Sequence, residues 1–208
     1  MSSIKYIQFL KNNIPSNFLK TIITRLQRRF TGIYIHHTVK IYGDGYFYAD
    51  KGVHLDEYSI LYIGKNSYLK LSRNCRIGRN CHLEIEDGQI IEIHADTSVQ
   101  ARTSIHGDVV IGESTLIAPN CYISSGTHIF AKDRDKTIRQ KDLENQTKSS
   151  PIVIGDDCWL GVNSVVLPGS IIGNKCVIGA NVVHSGTISD GTIVKRNGNN
   201  NIVKIEYN

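Results

Sequence analysis

The sequence predicts an all-β chain wound as a parallel β-solenoid, and three observations predict it. Branched aliphatics recur at every sixth position: Ile93, Val99, Ile105, Ile111, Ile117 and Ile123, then Ile154, Leu160, Val166, Ile172 and Ile178, with a shorter run at Leu71, Ile77 and Leu83. A strict period of six suits neither a helix, at about 3.6, nor an alternating strand, at about 2. It suits a chain bent through a triangle, one hexapeptide per side, so that coils of about eighteen residues stack as short parallel strands. Second, a small residue follows four positions later: Thr97, Thr103, Val109, Thr115, Cys121 and Thr127, then Cys158, Ser164, Ser170, Cys176 and Val182. Third, glycine follows the aliphatic at Gly64, Gly78, Gly112, Gly155, Gly161, Gly173 and Gly179, where a sharp corner is expected to need a residue without Cβ.

Taken along the chain, residues 1–32 are expected to form a helical N-terminal segment. Phe18, Leu19, Ile22, Ile23, Leu26 and Phe30 recur at helical spacing, with Lys20, Arg25, Arg28 and Arg29 largely on the other side. Pro15 and Ser16 supply a start, Ser16 as cap. The preferred role is to cover the end of the solenoid, because an open strand edge must be shielded. The alternative is weak contact with an anionic membrane surface.

Residues 33–195 are expected to form the β-helix domain, with 33–70 as irregular first coils carrying Ile33, Ile35, Ile41, Tyr46 and Tyr48. The register breaks twice. Between Leu83 and Ile93 about four extra residues suffice, and between Ile123 and Ile154 a long loop, 129–150, is expelled. Such an excursion from a regular scaffold is usually functional or disordered. Residues 196–208 are expected as a C-terminal tail.

Composition limits the function classes. At 208 residues and 40% hydrophobic, the chain is expected to hold one globular domain. It has no apolar run of the ~18 residues a membrane span needs, and its start lacks a secretory pattern. A net charge of +5, without a basic tract interleaved with aromatics, does not argue for nucleic-acid binding. All five cysteines (Cys75, Cys81, Cys121, Cys158, Cys176) fall at the small inward position, and no CxxC occurs. They read as buried apolar fillers in a reducing, cytoplasmic setting.

The motifs carry a family resemblance over residues 60–195. Ile117-Ala118-Pro119-Asn120 is followed by Ser125-Gly126-Thr127-His128, the long loop, and Ile154-Gly155-Asp156-Asp157-Cys158-Trp159-Leu160-Gly161. Then come Val166-Leu167-Pro168-Gly169-Ser170-Ile171-Ile172-Gly173 and Ile178-Gly179-Ala180-Asn181. This order resembles the left-handed β-helix hexapeptide-repeat acyltransferases, specifically sugar O-acetyltransferases of the maltose, galactoside and surface-polysaccharide type. The left hand is implied by the resemblance alone.

On the residues alone, His128 reads equally as a general base or as a corner histidine bonding backbone. The resemblance implies the base, with direct transfer from acetyl-CoA and no acyl-enzyme. Asp108, about one coil below, is the expected orienting carboxylate. Trp159 should point outward, a costly position unless a ligand or neighbouring subunit covers it. By resemblance Trp159, Gly161, Val162, Gly179, Ala180, Ser185 and Gly186 hold the pantetheine arm, and Asn120 approaches the acceptor. Lys195 and Arg196, with Lys204, are the candidates for the coenzyme phosphates. Here the chain departs from the family, reading Val194-Lys195-Arg196-Asn197-Gly198 in place of an Asn-Pro-Ala-Lys-like segment. Arg134 and the other loop cations are expected to meet the acceptor.

The implied assembly is a homotrimer with active sites between subunits, taking a saccharide acceptor. Three further readings stay open: an N-acetyltransferase of an amino-sugar nucleotide, a γ-type carbonic anhydrase and a non-catalytic solenoid module. The carbonic anhydrase reading needs His82, His94 and His106 on metal. His82 falls at the sixth position of its hexapeptide and the other two at the second, so solvated histidines and no metal site are expected.

Overall fold

A computed structural model describes residues 26, 28–130, 135–145, 149–196 and 202–206. Three parallel sheets stack as the sides of a solenoid, each coil giving one strand to each sheet. The first sheet carries Tyr34–Ile35, His54–Leu55, Arg76–Ile77, Ser98–Val99, Leu116–Ile117, Trp159–Leu160, Val177–Ile178 and Thr192–Arg196. The second carries Lys40–Tyr42, Ile60–Ile63, His82–Ile85, Ser104–His106, Tyr122–Ser124, Val165–Val166 and Val183–His184. The third carries Tyr46–Ala49, Tyr68–Leu71, Ile90–Ile93, Val109–Ile111, Ile152–Ile154, Ile171–Ile172 and Thr187–Ile188.

The predicted aliphatics fill the interior in register. Ile77, Val99, Ile117, Leu160 and Ile178 pair one above the next along the first sheet and are fully buried. The small position does more than fill space. Thr97 Oγ1 donates to the Gly112 carbonyl (2.6 Å), and Cys158 Sγ to the Gly173 carbonyl (3.1 Å). Each hydroxyl or thiol thus ties its corner to the next coil, satisfying a carbonyl that the sheet ladders leave unpaired.

The corners turn differently from expectation. Left-handed backbone is supplied by Asn80, Asp96, Asn120, Asp157, Asn163 and Asn181, at φ between 54° and 61°. These lie three residues after the aliphatic, and Asn and Asp tolerate that region best among residues with a Cβ. The glycines that follow the aliphatics are needed for another reason, close approach between coils. A Cβ on Gly112 would meet the Gly155 carbonyl carbon at 2.5 Å and the Asp156 nitrogen at 2.6 Å.

Residues 33–70 are regular coils, contrary to expectation, with Ile35, Phe47, Leu55, Leu61 and Leu69 in the core. Their repeat was obscured by an enlarged corner between the second and third sheets. Leu61 and Leu71 are ten residues apart, as are Leu83 and Ile93, whereas Ile105 and Ile111 are six apart. The coil of Ile105 therefore lacks the extension carried by the two coils before it.

At the C-terminal end, Ile202–Glu206 pairs antiparallel with Thr192–Arg196, so part of the expected tail is a strand on the sheet edge. Of the expected N-terminal helix, residues 28–31 are helical, while Ser16 and residues 1–25 lie outside the described residues.

Candidate active site

His128 stands where the chain leaves the second sheet, four residues beyond the strand Tyr122–Ser124. The excursion that follows contains one helix, Ile138–Asn145. Its start is fixed by a reciprocal cap: the Gln140 amide donates to Thr137 Oγ1 (3.2 Å), and the Thr137 amide donates to Gln140 Oε1 (2.9 Å). A further tie inside the excursion is Lys136 Nζ to Glu144 (2.7 Å). Lys141, expected as an acceptor contact, is only 6% exposed and reaches the Phe130 carbonyl at 3.5 Å.

This helix brings Asp142 to His128. The two are bonded through Nδ1 and Oδ2 at 2.8 Å, while Asp142 Oδ1 accepts from the Ile129 amide at 2.9 Å. That amide, and then His128, hold the Asp142 carboxyl below the usual carboxylate range. With the Nδ1 proton donated to Asp142, the imidazole lone pair lies on Nε2. The His128 side chain is 77% exposed, so that nitrogen is open to an incoming group.

Asp108 is not the partner of His128. Its Oδ2 accepts from Ser149 Oγ (3.0 Å), and its Oδ1 from the Ile90 amide (3.0 Å). Ser149 also bonds the buried Ser125 at 2.7 Å, beside a backbone bridge between Gly126 and Ser149. Asp108 therefore fastens the foot of the loop. Sequence order put it near His128 by coil counting, but a carboxylate rooted in a corner is already spent on local amides. The Thr137–Gln140 cap was the overlooked signal for Asp142, since it announces a helix inside the excursion.

Below His128 lies a cleft of about 320 Å³. Glu84 of the strand His82–Ile85 and Glu86 and Gln89 of the enlarged corner line it, with His106, Gly107, Tyr122 and Thr127 from the coils beyond. The step between long and short corners makes the cleft. Asn120 does not line it: it turns a corner at φ 61° and accepts from Arg102 Nε at 2.7 Å. Arg134 lies outside the described residues.

The expected coenzyme residues fall into two groups. Trp159 is 54% exposed on the first sheet, directly above the exposed Leu116. At the corner that follows, Gly161 and Gly179 stack through the Gly161 amide to the Ile178 carbonyl, and Gly179 in turn bonds the Val194 carbonyl. Among the described residues the Val162 and Ala180 amides donate no hydrogen bond. Lys195 and Arg196 follow one coil on, both exposed, Arg196 Nε bonding the Asn181 carbonyl at 2.9 Å. Ser185 and Gly186 instead occupy the corner between the second and third sheets, on the His128 side, where Gly186 turns at φ 84°.

Of the three histidines, His94 stands apart, beside Glu92 at 3.5 Å on the third sheet. His82 and His106 instead come together on the second sheet, their rings 5.2 Å apart. Positions just before and just after an inward residue both face outward, so hexapeptide phase does not separate them.

A family model described as "Hexapeptide repeat of succinyl-transferase" matches residues 151–183. The chain is 38% identical over 104 residues to a putative lipopolysaccharide biosynthesis O-acetyl transferase, WbbJ, of Escherichia coli (strain K12), covering 47% of this chain and 53% of that protein. It is 28% identical over 125 residues to the polysialic acid O-acetyltransferase of Neisseria meningitidis, covering 51% and 58%. The chain spans about half the length of the curated relatives it matches. Among solved structures, the polySia-specific acetyltransferase NeuO superposes with a TM-score of 0.62 at 19% identity, covering 81% of this chain and 69% of that one. AntD, an N-acyltransferase from Bacillus cereus in complex with dTDP and 3-hydroxybutyryl-CoA, superposes at 0.55 with 15% identity, covering 88% and 87%. At those identities the structural likeness establishes the fold. Repeat, coil geometry and sequence matches converge on one likeness: the chain resembles the hexapeptide-repeat acyltransferases, of the sugar and polysaccharide O-acetyltransferase kind.

Proposed function

We propose that this chain is an acetyl-CoA-dependent O-acetyltransferase acting on a hydroxyl of a saccharide in surface-polysaccharide assembly. The observation that carries the reading is the His128–Asp142 pair at the mouth of the cleft. In the direct transfer, Nε2 of His128 takes the proton of the acceptor hydroxyl as that oxygen attacks the thioester carbonyl. The new C–O bond forms, the C–S bond breaks, and coenzyme A leaves as a thiolate that recovers the proton. Asp142 keeps the imidazole in the required tautomer and stabilises the imidazolium between the two steps.

The first-sheet edge suits the donor. An exposed Trp159–Leu116 surface can cover the pantetheine arm, the open Val162 and Ala180 amides can bond its carbonyls, and Lys195 and Arg196 bring charge toward the phosphates. The cleft suits a sugar, offering the Tyr122 ring for stacking and Glu86 and Gln89 for hydroxyls. His128 and the Trp159 edge lie on opposite sides of the second sheet within one chain. A site using both is therefore completed between two copies, which favours a homotrimer. Five free thiols and an acetyl-CoA donor fit a cytoplasmic setting. Among the described residues no helix is long and apolar enough to cross a membrane.

The test is thioester cleavage from acetyl-CoA against saccharides, sugar nucleotides and amino-sugar nucleotides, with His128→Ala beside the wild type. Acceptor-dependent thiol release that falls ~100-fold or more in the variant is expected, as for loss of a general base. Transfer to an amino sugar alone would replace O- by N-acetylation, and unchanged turnover in the variant would remove His128 as the base.

A further inference from the structure

On the outer face of the second sheet, strands His82–Ile85 and Ser104–His106 pair in parallel, with Glu84 directly opposite His106 and His82 opposite Ser104. Three donor-bearing side chains thus converge from two rigid, adjacent strands. One donor atom from each of His82, Glu84 and His106 lies within 4.8 Å of the others. Glu84 Oε2 is 3.4 Å from His106 Nδ1 and 3.9 Å from His82 Nε2, and the two rings stand nearly perpendicular at 86°.

These separations are informative. They exceed those of good charge-assisted hydrogen bonds, which run about 2.7–2.9 Å. Two ligands each about 2.0–2.1 Å from a tetrahedral zinc ion stand roughly 3.4 Å apart; Glu84 and His106 stand at that separation, and His82, at 3.9 Å from Glu84, needs a small inward shift. His106 turns Nδ1 toward Glu84, while its Nε2 is buried with no hydrogen-bond partner among the described residues.

We propose that His82, Glu84 and His106 form a binding site for a divalent transition metal, with zinc the best match to the ligand set. Two imidazoles and one carboxylate are a zinc donor set that leaves the fourth position open. Glu84 and His106 both line the cleft that ends at His128, so the open position borders the space where a polar ligand enters. An ion there would place positive charge in the cleft wall and give hydroxyl oxygens a further partner. His82 and Glu84 are each about two-fifths exposed, so the ion reaches the site from solvent without unfolding.

The experiment titrates Zn²⁺ into the chelator-treated full chain by calorimetry, then Co²⁺ with its visible absorption recorded. One saturable site per chain is expected, with intense cobalt bands characteristic of four-coordination. His82→Ala and Glu84→Gln, exposed enough to keep the fold by circular dichroism, should each weaken binding on the order of 100-fold or more, since even losing an outer-shell partner costs about 10- to 100-fold. No saturable binding, or binding unchanged in both variants, overturns the assignment. The readout is metal content, so it succeeds or fails apart from acetyl transfer.

Discussion

Nδ1 of His128 and Oδ2 of Asp142, 2.8 Å apart, join the point where the chain leaves the solenoid to a helix that belongs to an inserted loop. The base is thus borne by the scaffold and its orientation by the excursion, which makes turnover sensitive to a residue outside the repeat. Asp142→Asn should lower turnover by about 10- to 100-fold while leaving the melting temperature nearly unchanged, because only the tautomer and the imidazolium lose support. Steady-state kinetics beside thermal melting checks this. Asp142 also titrates low, so an acid limb above the ordinary carboxylate range does not come from it.

Asp108→Asn should act in the opposite way. Its carboxylate holds Ser149 and the Ile90 amide at the foot of the loop, away from the reacting atoms. Turnover is expected to stay within a few-fold of wild type, estimated on the scale of one lost surface-side hydrogen bond, about 1 kcal/mol. Limited proteolysis should cut within residues 129–150 faster than in the wild type. A loss of turnover matching Asp142→Asn would restore Asp108 as the orienting group.

Trp159 is more than half exposed, so Trp159→Ala should change stability by no more than about 0.5 kcal/mol. Its loss is expected in donor binding, as a KM for acetyl-CoA raised roughly tenfold with little change in acceptor KM. An unchanged donor KM, together with loss of assembly by light scattering, would assign Trp159 to subunit packing alone.

The five thiols should be unreactive in the native state. Burial pushes Cys75, Cys81 and Cys158 up to about 11, and raises Cys121 and Cys176 as well. At pH 8 each is overwhelmingly the neutral thiol, which is not the nucleophile. An aromatic disulfide reagent should release little thiolate before unfolding and five equivalents after it.

His54 and His106 make stability depend on pH. Burial lowers both below the ordinary histidine value, with neighbouring carboxylates opposing it in each case. The unfolded chain then binds more protons than the folded one just below pH ~6.5, so stability rises with pH through that range. The melting temperature should fall as pH drops from 7 toward 5. His106→Gln should flatten part of that slope; a slope unchanged in both His106→Gln and His54→Gln would place the titration elsewhere.

Some of the site was legible because it sits in the repeat. Trp159 and His128 could be placed from hexapeptide phase, since phase alone decides which side chains face outward. The break between Leu83 and Ile93 was legible, but its twin between Leu61 and Leu71 was not, because two enlarged corners in succession erase the period that would have marked the first. Glu86 and Gln89 lie in the break that was legible, but nothing in the repeat marked that corner as facing His128.

By itself the sequence determined the solenoid, its inward aliphatics and the burial of every cysteine, because a periodic contact between successive coils leaves a periodic trace in the chain. Only the tertiary structure decided that Asp142 and not Asp108 faces His128, and that His82, Glu84 and His106 meet. Those pairings depend on how an insertion folds back and on which strands lie side by side. Distances of that kind are set by three-dimensional packing, and residues fourteen or twenty-four positions apart carry no period that would reveal them.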